Sequence, residues 1–142
     1  MYHVPGQQQF AKATAAAPPT KPNPKLKPLG PRLQQFFRQR GISPEVLARN
    51  GIMEDQGPYA RQNDPVVAFP YRRGGEIVNV KYRSLSKRFR QEKQAEKILY
   101  GLDDVVNSPE VIIVEGEMDK LALDQAGFGH VVGFAHSRSW LR

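Results

Sequence analysis

Residues 111–123 of the chain are Val-Ile-Ile-Val-Glu-Gly-Glu-Met-Asp-Lys-Leu-Ala-Leu, and this stretch is the clearest indication of the fold class. The β-branched run before Glu115 is typical of a buried parallel strand, and Gly116 permits a sharp turn after it. We therefore predict three elements, namely a strand over 110–114, a helix over 117–126 that ends at Gly127, and a strand over 130–135. This order predicts a parallel βαβ unit.

Three carboxylates lie where the first strand ends and the helix begins. Glu115 follows the strand directly, and Glu117 and Asp119 fall in the first helical turn. Ligands of open α/β sheets bind at the carboxyl ends of strands. Carboxylate oxygens suit a hard cation such as Mg²⁺, which neutralises phosphate oxygens during phosphoryl transfer. The alternative is that Glu117 and Asp119 only complement the helix dipole.

A β-hairpin is predicted upstream of these acids. Apolar and β-branched runs predict strands over 66–71 and 76–83, joined by a turn that contains two glycines. Side chains alternate between the two faces of a strand. We therefore expect the face of Val80 to be core, and the face of Lys81 and Arg83 to carry its cations outward.

Two short helices are predicted before the hairpin. Leu33, Phe36 and Phe37 form an apolar stripe with helical spacing. Ser43 followed by Pro44 is a helix-start signal, in which the serine is the N-cap and the proline is the first helical residue. The polar residues 54–65 between the second helix and the hairpin are predicted to be a loop.

The net charge is +7, and the excess of basic over acidic residues lies in the first third of the chain. Residues 1–44 contain seven Lys or Arg and no Asp or Glu, whereas residues 45–142 contain fourteen of each sign. Residues 1–30 are rich in proline and predict a disordered basic tail. Such a tail is attracted to phosphate backbones without reading their sequence, although it is also compatible with a purely solubilising role.

A second group of cations follows the hairpin. Five cations occur within ten residues, with Tyr82 and Phe89 interleaved. The five are Lys81, Arg83, Lys87, Arg88 and Arg90. This composition suits a surface that follows a nucleic-acid backbone and stacks bases. The alternative is a solvated strand and loop.

Taken together, these segments resemble a known family. The acidic stretch followed by Ala-Gly-Phe at 126–128 resembles the first motif of the Toprim (topoisomerase-primase) domain. Three further stretches resemble elements of the primase core in the family's order, at 67–71, 81–85 and 98–102. Over roughly 31–128 the chain is similar to the primase half of Twinkle-like primase-helicases of plant organelles, which are related to phage primase-helicases.

The resemblance implies a role for each site residue. Glu115 is the family's catalytic acid, which acts as a general acid or base or polarises a metal. Asp119 shapes the Mg²⁺ site together with Glu117. Lys81 and Arg83 face nucleic acid or the phosphates of an incoming nucleotide. The resemblance also implies organellar DNA replication in the mitochondrion or chloroplast, with single-stranded DNA as a partner.

The sequence departs from the family after Phe128. It has no second acidic motif, no Gly-rich P-loop of a helicase motor and no cysteine for a zinc ribbon. The expected fold class is therefore α/β, with a truncated Toprim-like βαβ sheet (110–142) after a primase-core-like segment (31–109) that holds the helical pair and the hairpin. The unfinished sheet leaves an open edge that can pair with another chain.

Four functions stay open. The preferred one is a primase-related, nucleic-acid-binding protein with weak Mg²⁺ binding and little or no polymerase activity alone. The second is a Mg²⁺-dependent primase subunit that is completed by a full-length primase-helicase or by a second copy at the open edge. The third is a non-catalytic DNA- or RNA-binding module, and the fourth is a product without a settled fold. No apolar run approaches the ~18–20 residues of a membrane helix, so no membrane partner is expected.

Overall fold

The computed structural model describes residues 17–134 of the chain. In chain order its elements are β1 (Leu26–Lys27), α1 (Pro31–Gln39), α2 (Pro44–Arg49), β2 (Met53–Asp55), β3 (Val66–Arg73), β4 (Glu76–Ser84), β5 (Phe89–Gln91), a 3-10 turn (Leu102–Asp104), β6 (Ile112–Glu115), α3 (Gly116–Gln125) and β7 (Val131–Phe134). Strands β1 to β5 form an antiparallel sheet in chain order, and β6 and β7 form a parallel pair. The α/β fold class is confirmed. No helix within 17–134 is long and apolar enough to cross a membrane.

The helical pair forms as its sequence predicts. Leu33, Phe36 and Phe37 are all buried on α1. The Ser43 side chain accepts a hydrogen bond from the Val46 N–H at 3.3 Å and so caps α2. Burying one such Leu or Phe side chain contributes about 1.5–3 kcal/mol. The two helices are therefore held mainly by the core beneath them.

The hairpin also forms, but the face that carries Lys81 differs from our prediction. Phe69 lies opposite Lys81 in the β3–β4 ladder. Val67, Phe69 and Tyr71 belong to the main core under α1 and α2, so Lys81 points into this core. The face of Val80 packs a second, smaller cluster on the other side of the sheet. The expectation that Lys81 points outward is wrong, because both faces of the sheet are covered.

We predicted that residues 1–30 are disordered, and the structure corrects this prediction for residues 17–30. Residues 1–16 of that tail lie outside the described range. Leu26 pairs with Asp55, so β1 is an edge strand of the antiparallel sheet. The carboxylate of Glu54 fixes the same stretch, because it accepts a hydrogen bond from the Gly30 N–H at 2.8 Å. The predicted loop 54–65 accordingly begins inside strand β2.

The βαβ unit is confirmed, with bounds shifted by one or two residues. Its first strand is less buried than we predicted, since Ile113 is 63% exposed. Tyr100 joins the unit to the rest of the chain, because it exchanges two backbone hydrogen bonds with Gly133 at 2.6 and 2.9 Å. A Cβ on Gly133 would lie 2.6 Å from the Gly116 carbonyl oxygen, so a glycine is required for this close packing.

Candidate nucleic-acid and metal site

A cavity of about 330 Å³ lies between the hairpin strand β4 and the start of α3. Residues far apart in the chain line it together. Among the predicted site residues these are Lys81, Arg83, Lys87, Glu115, Glu117 and Asp119. The fold therefore joins the acidic stretch to three of the five predicted cations.

Two of the three predicted acids are exposed at the mouth of this cavity. Glu115 ends β6 and precedes α3 as its N-cap residue, and Asp119 is exposed one turn further along the helix. Gly116 between strand and helix has φ +80°, a conformation that glycine adopts readily. The sharp turn keeps both carboxylates at the carboxyl end of the strand, as the sequence predicted.

The third acid, Glu117, is buried and occupied by protein partners. Its Oε1 accepts a hydrogen bond from the Tyr71 hydroxyl at 2.6 Å, and its Oε2 lies 3.2 Å from Lys81 Nζ. Burial and the neighbouring Glu117 charge raise the pKa of Tyr71, so this phenol remains a hydrogen-bond donor. Glu117 therefore connects α3 to the antiparallel sheet and does not present free oxygens to a ligand.

The donor set suits a Mg²⁺ ion that is shared with a phosphate. Among residues 17–134 there is no group of three or more His, Cys, Asp or Glu side chains placed to hold a metal ion. Mg²⁺ is often bound by one or two carboxylates together with substrate phosphates. Glu115 and Asp119 can supply those carboxylates, while an enclosed all-protein metal site is not present in this part of the chain.

Arg83 is the partly buried cation of the cavity. Its Cζ lies 5.0 Å from the centre of the Phe36 ring, and its Nε is buried without a hydrogen-bond partner among the described residues. Burial, together with the nearby Arg40, lowers the pKa of Arg83. A buried donor without an acceptor is rare in folded proteins, and an anion in the cavity would supply the missing acceptor.

Lys87, also on the cavity, is held in an unusual backbone conformation. Its φ is +65°, which few residues other than glycine adopt. Asp64 holds the surrounding turn, because its carboxylate accepts hydrogen bonds from Ser86 and from Arg88 Nε. The Ser86 hydroxyl bond in particular lowers the pKa of Asp64 to about 2. No pattern in the polar loop pointed to Asp64, since its partners lie more than twenty residues away.

The remaining two predicted cations do not line the cavity. Arg88 is paired with Asp64 at 3.1 Å. Arg90 lies 5.1 Å from the ring centre of Tyr59, on the opposite face of the sheet from Arg83. The five cations therefore do not form one continuous surface, and a nucleic-acid role for Arg88 and Arg90 stays a prediction.

A second buried lysine, which the sequence did not single out, supports the helix behind the site. Lys120 Nζ donates to Asn50 Oδ1 at 2.6 Å and to Asp104 Oδ2 at 2.5 Å. Asn50 in turn donates to Asp124 Oδ2 at 2.8 Å. This network ties α2, the 3-10 turn and α3 together, so the helix that carries Asp119 is fixed from two sides.

Comparison with known proteins identifies relatives in plants. The chain is 49% identical over 108 residues to the primase homolog protein of Arabidopsis thaliana, and 48% identical over 103 residues to the Twinkle homolog protein, chloroplastic/mitochondrial, of the same plant. The chain is a homologue of these two proteins. The matches cover 76% and 72% of this chain but only 31% and 14% of the relatives. No model of a known protein family matches.

Solved primase structures share the fold of this homologue. The match to the primase fragment of the bacteriophage T7 primase-helicase covers 91% of this chain and 55% of that fragment, with a TM-score of 0.62 and 22% identity. The match to a DnaG primase catalytic domain bound to single-stranded DNA covers 78% of this chain and 50% of that domain's chain, with a TM-score of 0.59 and 22% identity.

 The two plant relatives confirm the resemblance to Twinkle-like primase-helicases, and the solved structures show that the described residues have a primase-core fold.

Proposed function

We propose that this chain is a nucleic-acid-binding protein of DNA replication, whose cavity takes the phosphates of single-stranded DNA or of a nucleotide together with Mg²⁺. One observation carries the proposal. Two cations, Arg83 and Lys87, and two exposed carboxylates, Glu115 and Asp119, line the same cavity. The relationship to primase homologues and the primase-core fold support the same conclusion.

Each residue has a separate task in this proposal. Arg83 and Lys87 attract phosphate oxygens, and the partly buried position of Arg83 reduces screening by water. Glu115 and Asp119 hold Mg²⁺, which would neutralise phosphate charge when bound. The buried Lys81–Glu117 pair fixes the helix start and does not touch the phosphate.

We propose weak or no polymerase activity for the chain alone. The cavity offers only two accessible carboxylates from the described residues, whereas two-metal phosphoryl transfer needs ligands for a second ion. A Mg²⁺-dependent primase subunit completed by a partner chain is the second candidate. The exposed strand β6, on which Ile113 is 63% exposed, favours it by leaving a place for a partner.

The place of action is proposed from one relative. The Twinkle homolog protein is named chloroplastic/mitochondrial, so we propose that this chain also acts on organellar DNA in one of these compartments. The basic residues 1–44 would add sequence-independent attraction to the DNA backbone. Import of a fluorescent fusion of the full chain into isolated mitochondria and chloroplasts tests the location.

Titration of labelled single-stranded DNA by fluorescence anisotropy, at several salt concentrations, tests the binding proposal. The variant Arg83→Gln/Lys87→Gln should bind more weakly, and its logarithmic salt slope should fall by about 1.4 for two lost phosphate contacts. The control Arg61→Gln/Lys93→Gln removes the same charge at exposed positions outside both the cavity and the basic residues 1–44. Equal losses in the two variants would show that net charge, rather than this cavity, binds the DNA.

A further inference from the structure

An exposed aromatic side chain lies beside the cations of the cavity. Phe89 lines the cavity and is 55% exposed. It lies on β5, which pairs with β4 on one side, and its ladder partner is Arg83. A large apolar side chain with this exposure, held on a strand at the rim of a charged cavity, is available to a ligand.

Two cations lie near the same ring. Lys81 Nζ lies 5.3 Å and Arg83 Cζ 5.9 Å from the ring centre of Phe89. Cations within about 6 Å of an aromatic ring are attracted by its π-electrons. The ring therefore lies beside the buried Lys81 and beside Arg83, the cation proposed to hold phosphate, while more than half of the side chain is exposed to solvent.

The other aromatic residue of the basic stretch is not available. Tyr82 is buried at 2% exposure, and its hydroxyl donates a hydrogen bond to Glu92. Its ring packs against Tyr59 with 4.5 Å between the ring centres, on the face of the sheet away from the cavity. The alternation of the strand thus separates two aromatic residues that look equivalent in the sequence.

We infer that Phe89 is a stacking residue for one nucleobase of the bound single strand, next to the phosphates that Arg83 and Lys87 hold. This inference rests on the proposed function, since it needs a nucleic acid in the cavity. Every base offers a π-face, so stacking on a phenyl ring tolerates any sequence. The predicted result is strand binding that depends on the presence of bases but little on their identity.

Two single-stranded oligonucleotides of equal length test the inference, one of thymidines and one with abasic sugars. Both carry the same phosphates, and only the first can stack. Phe89→Leu keeps an apolar side chain and should weaken binding of the thymidine oligomer by about 5-fold or more, while binding of the abasic oligomer stays unchanged. Phe89→Trp should retain full affinity for the thymidine oligomer.

The possible outcomes separate this inference from the proposed function. If the wild type binds both oligomers and Phe89→Leu changes neither, or weakens both equally, then the stacking role is overturned and the phosphate site stands. If the wild type binds neither oligomer, then the proposed function fails and the stacking role fails with it. Circular dichroism melts of the two variants check that the exposed substitution leaves the fold intact.

Discussion

Lys81 Nζ lies 3.2 Å from Glu117 Oε2, and the two side chains are only 5% and 6% exposed. The pair connects β4 of the antiparallel sheet to the first turn of α3. Tyr71 completes the arrangement by donating a hydrogen bond to the other carboxylate oxygen at 2.6 Å. Both residues line the cavity, so the positions of the neighbouring carboxylates Glu115 and Asp119 depend on this pair.

Removal of the lysine alone should destabilise the fold. Lys81→Met leaves a buried carboxylate without its counter-ion, which costs about 3–5 kcal/mol. Lys81→Met/Glu117→Gln removes both charges and keeps an acceptor for Tyr71, so it should recover a large part of that loss. Urea unfolding of the wild type, both single variants and the double variant measures the coupling. Additive losses would contradict a direct interaction between the two charges.

The exposed carboxylates should make phosphate binding depend on Mg²⁺. Calorimetric titration with dTTP should show tighter binding in Mg²⁺ than in EDTA for the wild type. Glu115→Gln/Asp119→Asn should lose most of this gain, while its binding in EDTA stays equal or improves because two negative charges are gone. The control Glu45→Gln/Glu110→Gln removes two exposed carboxylates outside the cavity. If the control loses the Mg²⁺ effect equally, the cavity is not the metal site.

The hydrogen bonds that the Asp64 carboxylate accepts should make the stability of the fold sensitive to acid. The pKa of Asp64 is lowered from 3.8 to about 2, first of all by the Ser86 hydroxyl bond. A carboxyl whose pKa is lower in the folded state stabilises the fold above its unfolded pKa, and this contribution is lost as the pH falls from about 4 to about 2. Asp64→Asn should therefore be less stable at neutral pH and lose less stability over that window. Urea unfolding at a series of pH values measures both effects, with Glu110→Gln as the control. A parallel decline in the variant and the wild type would exclude Asp64 as the titrating group.

The exposed edge of β6 should promote self-association. Ile113 is 63% exposed, and the unpaired backbone groups of an edge strand can pair with another chain. Ile113→Lys should reduce concentration-dependent association in sedimentation experiments and change stability by no more than about 0.5 kcal/mol. Ala122→Lys adds the same charge at an exposed helix position and should leave association nearly unchanged. An unaltered association of Ile113→Lys would place the contact elsewhere.

Local patterns were sufficient to predict most elements of secondary structure. The helix start at Ser43 and Pro44, the two strands of the hairpin and the elements of the βαβ unit were each predicted from patterns of residues close together in the sequence, and all are confirmed. The strand Leu26–Lys27 was not predicted, because its pairing partner lies near Asp55 and its own proline-rich surroundings favour disorder. Long-range pairing overrode local preference there.

The candidate site was predicted only in part. The amino-acid pattern alone was enough to place Glu115, Gly116 and Asp119, since these residues follow a strand and open a helix whatever packs around them. The pairing of Glu117 with Lys81 and the exposure of Phe89 beside Arg83 became visible only once the chain was folded. The physical reason is distance along the chain. Strand and helix periodicity assign a face to each side chain, but burial and ion pairing depend on what covers that face, and the covering residues lie tens of positions away.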